Sequence, residues 1–156
     1  MTSNRGGEHE AVPAERVLVS DLGDHVGAEV TLLGWVLNRR DLGGIGFLLL
    51  RDRSGVAQVV FEGSALPLHE SSVRVTGKVV AHKKAPGGFE VQGSTLEVIS
   101  EATQAPPVEL AKEDWTANPE TLLAYRHVTV RSPKTRAVLK VEAELVRGFR
   151  AYLDAH

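Results

Sequence analysis

Cysteine is absent from the 156 residues of this sequence. The chain therefore has no disulfide, no thiolate metal ligand and no cysteine nucleophile, which fits a reducing compartment. Long apolar runs are absent too: none approaches the roughly 18 residues that a membrane-spanning helix needs. The N-terminus also lacks the apolar core of a signal peptide. Together these absences predict a cytoplasmic protein without a membrane partner.

Motifs of common catalytic chemistry are missing as well. The six histidines show no metal-ligand spacing, and no glycine-rich phosphate loop ends in Lys-Ser or Lys-Thr. A Gly-x-Ser-x-Gly nucleophile turn does not occur either. The sequence predicts no catalytic residue, no metal site and no cofactor bound by this chain itself.

The charge is unevenly distributed along the chain, although the formal net charge is only -2. Residues 1–30 carry six acids and two bases, whereas residues 31–100 carry eight bases and six acids. Strong nucleic-acid binders are usually basic. The middle segment therefore predicts a modestly basic surface that would steer a polyanion without gripping it strongly.

Residues 15–104 have the pattern of a small β-barrel. Residues 1–14, in contrast, are polar and aperiodic, which predicts a disordered tail. Five short strands follow one another between residues 28 and 100, with a long polar connection between the third and the fourth. This is the strand plan of the OB-fold, and the glycines at 34 and 77 are expected to mark bends inside strands. An SH3-like barrel has a similar strand count and stays open as an alternative. The predicted strands are 30–36, 47–51, 56–61, 73–80 and an interrupted fifth strand over 89–91 and 96–99.

The β pattern ends at Ala105-Pro106-Pro107, so we assign residues 105–131 to a linker or hinge with a short helix from Pro119. Ser132 as N-cap and Pro133 at the first helical position then predict a long helix over 132–156. Its apolar residues recur at spacings of three and four and form a stripe that this chain leaves uncovered. The helix is therefore expected to continue into a longer protein or to bind a partner. The stripe consists of Val138, Val141, Leu145, Phe149 and Tyr152.

The barrel also carries residue types suited to single-stranded RNA, which needs a ring to stack a base, an amide to read its edge and cations for phosphates. Phe47 opens the second strand, Gln58 interrupts an apolar third strand, and Arg39 and Arg40 lie in a predicted turn after the first strand. Each has a structural alternative: Phe47 as core, Gln58 as plain surface, and the arginines as a solvated turn. Two further predictions are structural, with Trp35 in the core and Arg51-Asp52-Arg53 as an ion-paired turn.

The order of these motifs resembles the anticodon-binding domain of class II aspartyl-tRNA synthetases. Two further segments are similar to the archaeal-type branch, which shares ancestry with asparaginyl-tRNA synthetase: Gly77-Lys78-Val79 and Lys84-Ala85-Pro86-Gly87-Gly88-Phe89-Glu90-Val91. A weaker resemblance runs through Tyr125-Arg126-His127 to the helix at 133–155, which would lead into a truncated class II catalytic domain. The matching motifs are Gly34-Trp35-Val36, Arg39-Arg40-Asp41-Leu42-Gly43-Gly44, Phe47, Leu50-Arg51-Asp52-Arg53-Ser54-Gly55 and Gln58-Val59-Val60.

The resemblance implies roles for individual residues. Phe47 would stack on the central anticodon base, a uridine, and Gln58 would hydrogen-bond that base. Arg40 and Glu90 would contact the anticodon loop, with Glu90 near the first anticodon base. Further candidates for tRNA contact are Asn38, Arg39, Lys83 and Lys84.

The resemblance also implies a complete enzyme, an aspartate–tRNA ligase that is a homodimer and uses ATP and magnesium. The chain ends before the three class II catalytic motifs, so we expect it to be inactive alone and to hold no cofactor. Its partners would be the anticodon loop of tRNA(Asp) and the missing catalytic domain. Pro86 stands where some strict aspartate enzymes have lysine, which favours a relaxed enzyme that also recognises tRNA(Asn).

Three other interpretations stay open. The chain could be a free-standing OB-fold module that binds RNA, or a relative of asparaginyl-tRNA synthetase without catalysis. It could also be an interaction protein that pairs through the 133–155 helix.

Overall fold

The computed structural model describes residues 14–63, 66–104, 106, 108, 110 and 117–156. The predicted disordered tail, apart from residue 14, lies outside the described residues, and so do Ala105 and Pro107 of the predicted breakpoint. Within the described helices, none is long and apolar enough to cross a membrane.

Six β-strands form one sheet, and five of them close into a barrel. Strands β2, β3, β4, β6 and β5 are neighbours in that order, and β2 also pairs with β5, which closes the ring. The pair β4–β6 is parallel, whereas the other barrel pairs are antiparallel. This order confirms the predicted five-stranded OB-fold. The strands are β1 Glu15–Arg16, β2 Glu29–Leu42, β3 Ile45–Arg51, β4 Val56–Glu62, β5 Ser72–Ala81 and β6 Phe89–Ser100.

The barrel core is built from every second residue of each strand, whose side chain points inward. Leu32 and Val36 of β2, Leu48 and Leu50 of β3, and Val59 of β4 are fully buried. A 3-10 helix over Val19–His25 adds Leu22 to this cluster. Because these side chains fill the inner face of the barrel, a shift of one residue in the pairing would turn them outward, and their burial therefore holds each strand in register.

Strand β2 is longer than predicted, because it continues through Arg39 and Arg40 to Leu42. Its first half pairs with β5 and its second half with β3, so one bent strand belongs to both sides of the barrel. The turn shrinks to Gly43 and Gly44, both with positive φ, and places the two arginines on a strand. The predicted interruption of the fifth strand is also wrong, since β6 runs unbroken and absorbs a register shift near Gly93.

Gly77 shows why a strand glycine is needed for closure. A Cβ atom at Gly77 would lie 2.3 Å from the carbonyl oxygen of Gln92 on β6. That approach is far closer than a side chain tolerates, and it occurs beside the register shift between β5 and β6. The predicted bend therefore corresponds to a close backbone contact that only glycine allows.

Three helices lie within residues 119–155. Helix α1 spans Pro119–Ala124, α2 spans Arg126–Thr129 and α3 spans Pro133–Ala155. The Ser132 hydroxyl accepts the Thr135 N–H at 3.1 Å, as the predicted N-cap requires. The predicted apolar stripe of α3 is exposed along its whole length, and Leu145 is 68 % exposed.

A buried carboxylate joins the barrel to the residues that precede α3. Glu70 Oε2 accepts a hydrogen bond from Arg51 Nη2 at 3.0 Å and a second from Arg131. The Arg131 guanidinium also lies 5.6 Å from the ring centre of Trp35. Glu70 adopts a φ of 65°, a left-handed conformation that is unfavourable for a residue with a side chain. The surrounding contacts therefore hold Glu70 in place against a local backbone preference.

Two structural predictions fail at this junction. Trp35 is 41 % exposed rather than part of the core, because β2 directs it outward beneath Arg131. The Arg51-Asp52-Arg53 turn is not closed by an ion pair among these three residues. Instead, Arg51 pairs with Glu70, and Asp52 accepts hydrogen bonds from the backbone of Ser54 and Gly55.

Candidate nucleic-acid interface

The outer face of β2, β3 and β4 presents an aromatic ring, an amide and a guanidinium side by side. Because Leu48 and Leu50 point into the core, the alternation of β3 turns Phe47 and Leu49 to the outside. Arg40 is the cross-strand partner of Phe47, and Gln58 is the partner of Leu49. Directly opposite residues have neighbouring Cβ atoms, so the four side chains share one patch.

This patch forms an open pocket with a volume of about 300 Å³. Phe47 and Gln58 are each half-buried in it, whereas Arg40 is exposed at its edge. A half-buried ring keeps one face available for stacking, and an adjacent amide offers both a donor and an acceptor. The pocket is lined by Asn38, Arg39, Arg40, Leu42, Phe47, Leu49 and Gln58.

Glu90 reaches the same patch from β6. Parallel pairing of β4 with β6 makes Gln58 and Glu90 partners, and Gln58 Nε2 donates to Glu90 Oε2 at 2.8 Å. The Glu90 side chain is only 13 % exposed, so this bond lies mostly out of water. His82 Nδ1 lies 3.9 Å from the same carboxylate oxygen and has no hydrogen-bond partner among the described residues.

The remaining predicted cations are arranged differently. Arg39 lines the pocket together with Arg40, and it also donates from Nη1 to the backbone carbonyl of Leu66. Its own backbone N–H donates to the Asn38 side chain at 2.8 Å. Lys83 and Lys84 are exposed in the connection between β5 and β6, outside the lining of the pocket. The structure thus gathers five of the predicted residues around the pocket and places Glu90 against Gln58, whereas Lys83 and Lys84 lie outside the lining. The five are Asn38, Arg39, Arg40, Phe47 and Gln58.

Sequence reasoning missed three residues at this patch: Leu42 and Leu49, which line the pocket, and His82 beside Glu90. Leu49 follows from the alternation of β3, which was visible in the sequence but was not extended to the outer face. His82 was not singled out, because its contact with Glu90 depends on the turn over Pro86–Gly88 that folds β6 back against β5. In the described part of the chain, no three histidine or carboxylate side chains converge into a metal site.

Comparison with known proteins agrees with this geometry. Residues 30–99 match a family model described as an OB-fold nucleic acid binding domain. The chain is 64 % identical over 139 residues to an aspartate–tRNA(Asp/Asn) ligase of Thermus thermophilus, which covers 89 % of this chain and 33 % of the relative. The chain therefore contains an OB-fold nucleic-acid-binding domain and is similar over most of its length to aspartate–tRNA ligases. This assignment removes the SH3-like barrel as an alternative.

The family is broad, and the match extends to solved structures. An aspartate–tRNA(Asp/Asn) ligase of Archaeoglobus fulgidus is 36 % identical over 150 residues, covering 89 % of this chain and 35 % of the relative. Asparaginyl-tRNA synthetase from Pyrococcus horikoshii is 36 % identical with a TM-score of 0.76, covering 89 % of this chain and 34 % of that one. The chain spans about a third of the length of the curated relatives it matches.

Proposed function

We propose that the pocket on β2, β3 and β4 binds the anticodon loop of a transfer RNA. The single observation that carries this proposal is the convergence of Phe47, Gln58 and Arg40 on one exposed face of an anticodon-binding OB-fold. Phe47 stacks on the central anticodon base, and the Gln58 amide hydrogen-bonds the edge of that base. Arg40 contacts phosphates, and Glu90 lies near the first anticodon base.

Electrostatic attraction in this proposal is modest. Arg40 is the cation at the edge of the pocket, while Lys83 and Lys84 approach the loop from the β5–β6 connection. Arg39 and Asn38 shape the end of β2 from which these contacts are made. Since each neutralised phosphate releases counterions, the slope of log affinity against log salt should correspond to only a few phosphate contacts. Base contacts therefore supply most of the selectivity.

The chain serves, in this proposal, as the RNA-recognition part of an aspartate–tRNA ligase in the cytoplasm. The barrel over 15–104 reads the anticodon, the segment 105–131 acts as a hinge, and the helix from 132 begins the catalytic domain. ATP, magnesium and the homodimer contact belong, in this proposal, to the catalytic domain of the complete enzyme.

Both tRNA(Asp) and tRNA(Asn) are proposed substrates. Relatives at 64 % and 60 % identity carry the name aspartate–tRNA(Asp/Asn) ligase. The two anticodons, GUC and GUU, share their first two bases, so a site built around the central base meets the same group in both. Pro86, in the connection before Glu90, is the residue in this chain that accompanies the relaxed type. Charging of only tRNA(Asp) by the full-length enzyme in a two-substrate assay would remove tRNA(Asn) from this proposal.

Filter binding of anticodon stem-loops tests the site. Phe47→Ala and Gln58→Ala should each weaken binding of a loop with central uridine, because stacking on an aromatic ring contributes about 1–3 kcal/mol per base. That range corresponds to a loss of affinity of roughly 5-fold to 150-fold. Matched controls are Phe149→Ala on α3 and Gln92→Ala on β6, both exposed and away from the pocket. Wild-type affinity in both pocket variants would place the RNA elsewhere.

A further inference from the structure

The contact between Gln58 and Glu90 determines which way the Gln58 amide faces. An ionised carboxylate can only accept hydrogen bonds, so the atom that faces Glu90 Oε2 at 2.8 Å must be the amide nitrogen. A glutamine on an open surface could present its oxygen and nitrogen in either order. Here the reverse order would bring the amide oxygen against a carboxylate oxygen, and two acceptors would face each other.

The strands keep this contact in place. Gln58 and Glu90 are partners in the parallel β4–β6 ladder, so their backbones are fixed relative to each other. The Glu90 side chain is largely buried, and His82 Nδ1 lies 3.9 Å from the same oxygen, Oε2, that accepts from Gln58. Gln58 Oε1 receives no hydrogen bond within the described part of the chain. One oxygen and one N–H of the amide are therefore left for a ligand in the pocket.

We propose that Glu90 is a positioning residue that fixes the polarity of the Gln58 amide and thereby selects uracil over cytosine at the central anticodon position. This inference rests on the proposed function, since it concerns the same pocket. It assigns Glu90 an action through Gln58, separate from any direct contact between Glu90 and the RNA.

The chemistry of the two pyrimidines supports this selection. Uracil offers the N3–H donor between two carbonyl acceptors, whereas cytosine has an acceptor at N3 and an amino donor at C4. A base stacked on Phe47 cannot slide freely, so the Gln58 oxygen meets either the uracil donor or the cytosine acceptor. An amide oxygen held in this position accepts a hydrogen bond from the uracil N3–H group. It leaves the N3 acceptor of cytosine unpaired, which is costly in a partly desolvated site. A freely rotating amide could present either its oxygen or its N–H group and would therefore pair with both bases.

The test compares two anticodon stem-loops that differ only in a central U or C, bound to the full chain. The wild type should bind the U loop about tenfold or more tighter than the C loop. Glu90→Gln keeps the side-chain shape but can donate as well as accept, so the Gln58 amide can face it in either orientation. The preference for the U loop over the C loop should then fall to about twofold or threefold. Glu97→Gln removes the same charge from an exposed position on the same strand and should leave the preference unchanged.

A second background separates positioning from direct contact. In Gln58→Ala, the further change Glu90→Gln should have no effect on the U-to-C ratio, because the group that Glu90 orients is gone. A Glu90→Gln variant that weakens both loops equally, keeps the wild-type ratio, or changes the ratio in the Gln58→Ala background would overturn the inference. If wild type binds neither loop, the proposed anticodon function itself is wrong.

Discussion

The strongest test of the fold is the change Glu70→Ala. Glu70 Oε2 is the shared acceptor for Arg51 of β3 and for Arg131 ahead of α3. The side chains of Glu70 and Arg51 are only 11 % and 10 % exposed, whereas Arg131 is 36 % exposed. Removing the carboxylate therefore leaves one buried cation and one partly solvated cation without their counter-charge.

The expected loss in the free energy of unfolding differs between Glu70→Ala and Arg131→Ala. Breaking a buried pair from one side costs about 3–5 kcal/mol, because the remaining charge is left unpaired out of water. Such a loss is a large part of the roughly 5–15 kcal/mol of a typical domain. Arg131→Ala should cost only about 1 kcal/mol, since Glu70 keeps Arg51 as its partner and the lost cation was closer to solvent.

Urea unfolding of the full chain measures these differences. The matched control is Glu97→Ala, which breaks the Arg74–Glu97 pair in a solvent-exposed position and should cost about 0–1 kcal/mol. Replacing both buried partners, as in Arg51→Met with Glu70→Ala, should recover much of the loss. Equal losses for Glu70→Ala and Glu97→Ala would refute the view that this carboxylate holds the junction together.

Two further predictions concern the barrel itself. Burial raises the pKa of Asp52, but hydrogen bonds from Ser54 and from the backbone of Val19, Ser54 and Gly55 outweigh it and leave that pKa lowered. Its contribution to stability is therefore present at pH values above the ordinary Asp pKa of 3.8 and is lost as the pH falls below that value and through the lowered folded pKa. Asp52→Asn should flatten the free energy of unfolding against pH in that window, and a curve with wild-type slope would contradict this. Gly77→Ala should lower the free energy of unfolding by about 1–3 kcal/mol, because the added Cβ would clash with the Gln92 carbonyl oxygen. By contrast, Gly148 on α3 has open space around it, so Gly148→Ala should stabilise the protein by about 0.5–1 kcal/mol. If Gly77→Ala unfolded at a higher temperature than Gly148→Ala, both expectations would be wrong.

Several features were predictable because their causes are local. The alternation of apolar residues in β5 and the glycine turns indicate strands and their ends whatever the rest of the chain does. Ser132 and Pro133 predict the start of α3 because capping involves only the neighbouring backbone N–H groups. Residue type and strand position singled out Phe47 and Gln58 but left their structural alternatives open, and the resemblance of ordered motifs then implied their roles at the anticodon.

Other features depended on strands that meet only in the folded barrel. Trp35 lies in an apolar stretch, yet its outward direction follows from the register that β2 shares with two neighbours. The partner of Arg51 is 19 residues away at Glu70, not the adjacent Asp52, because the β4–β5 connection returns beside β3. No local pattern encodes such a pairing.

What the sequence by itself determined is therefore the presence of five barrel strands, the start of α3 and the residue types available for RNA, since periodicity and capping act within a few residues. What only the tertiary structure decided is how those residues are combined. Parallel pairing of β4 with β6 brings Gln58 and Glu90 together across 32 positions. The orientation of the Gln58 amide arises from that contact, because a carboxylate can only accept hydrogen bonds and so requires the amide nitrogen to face it. The folded barrel is what brings the Glu90 carboxylate to this position.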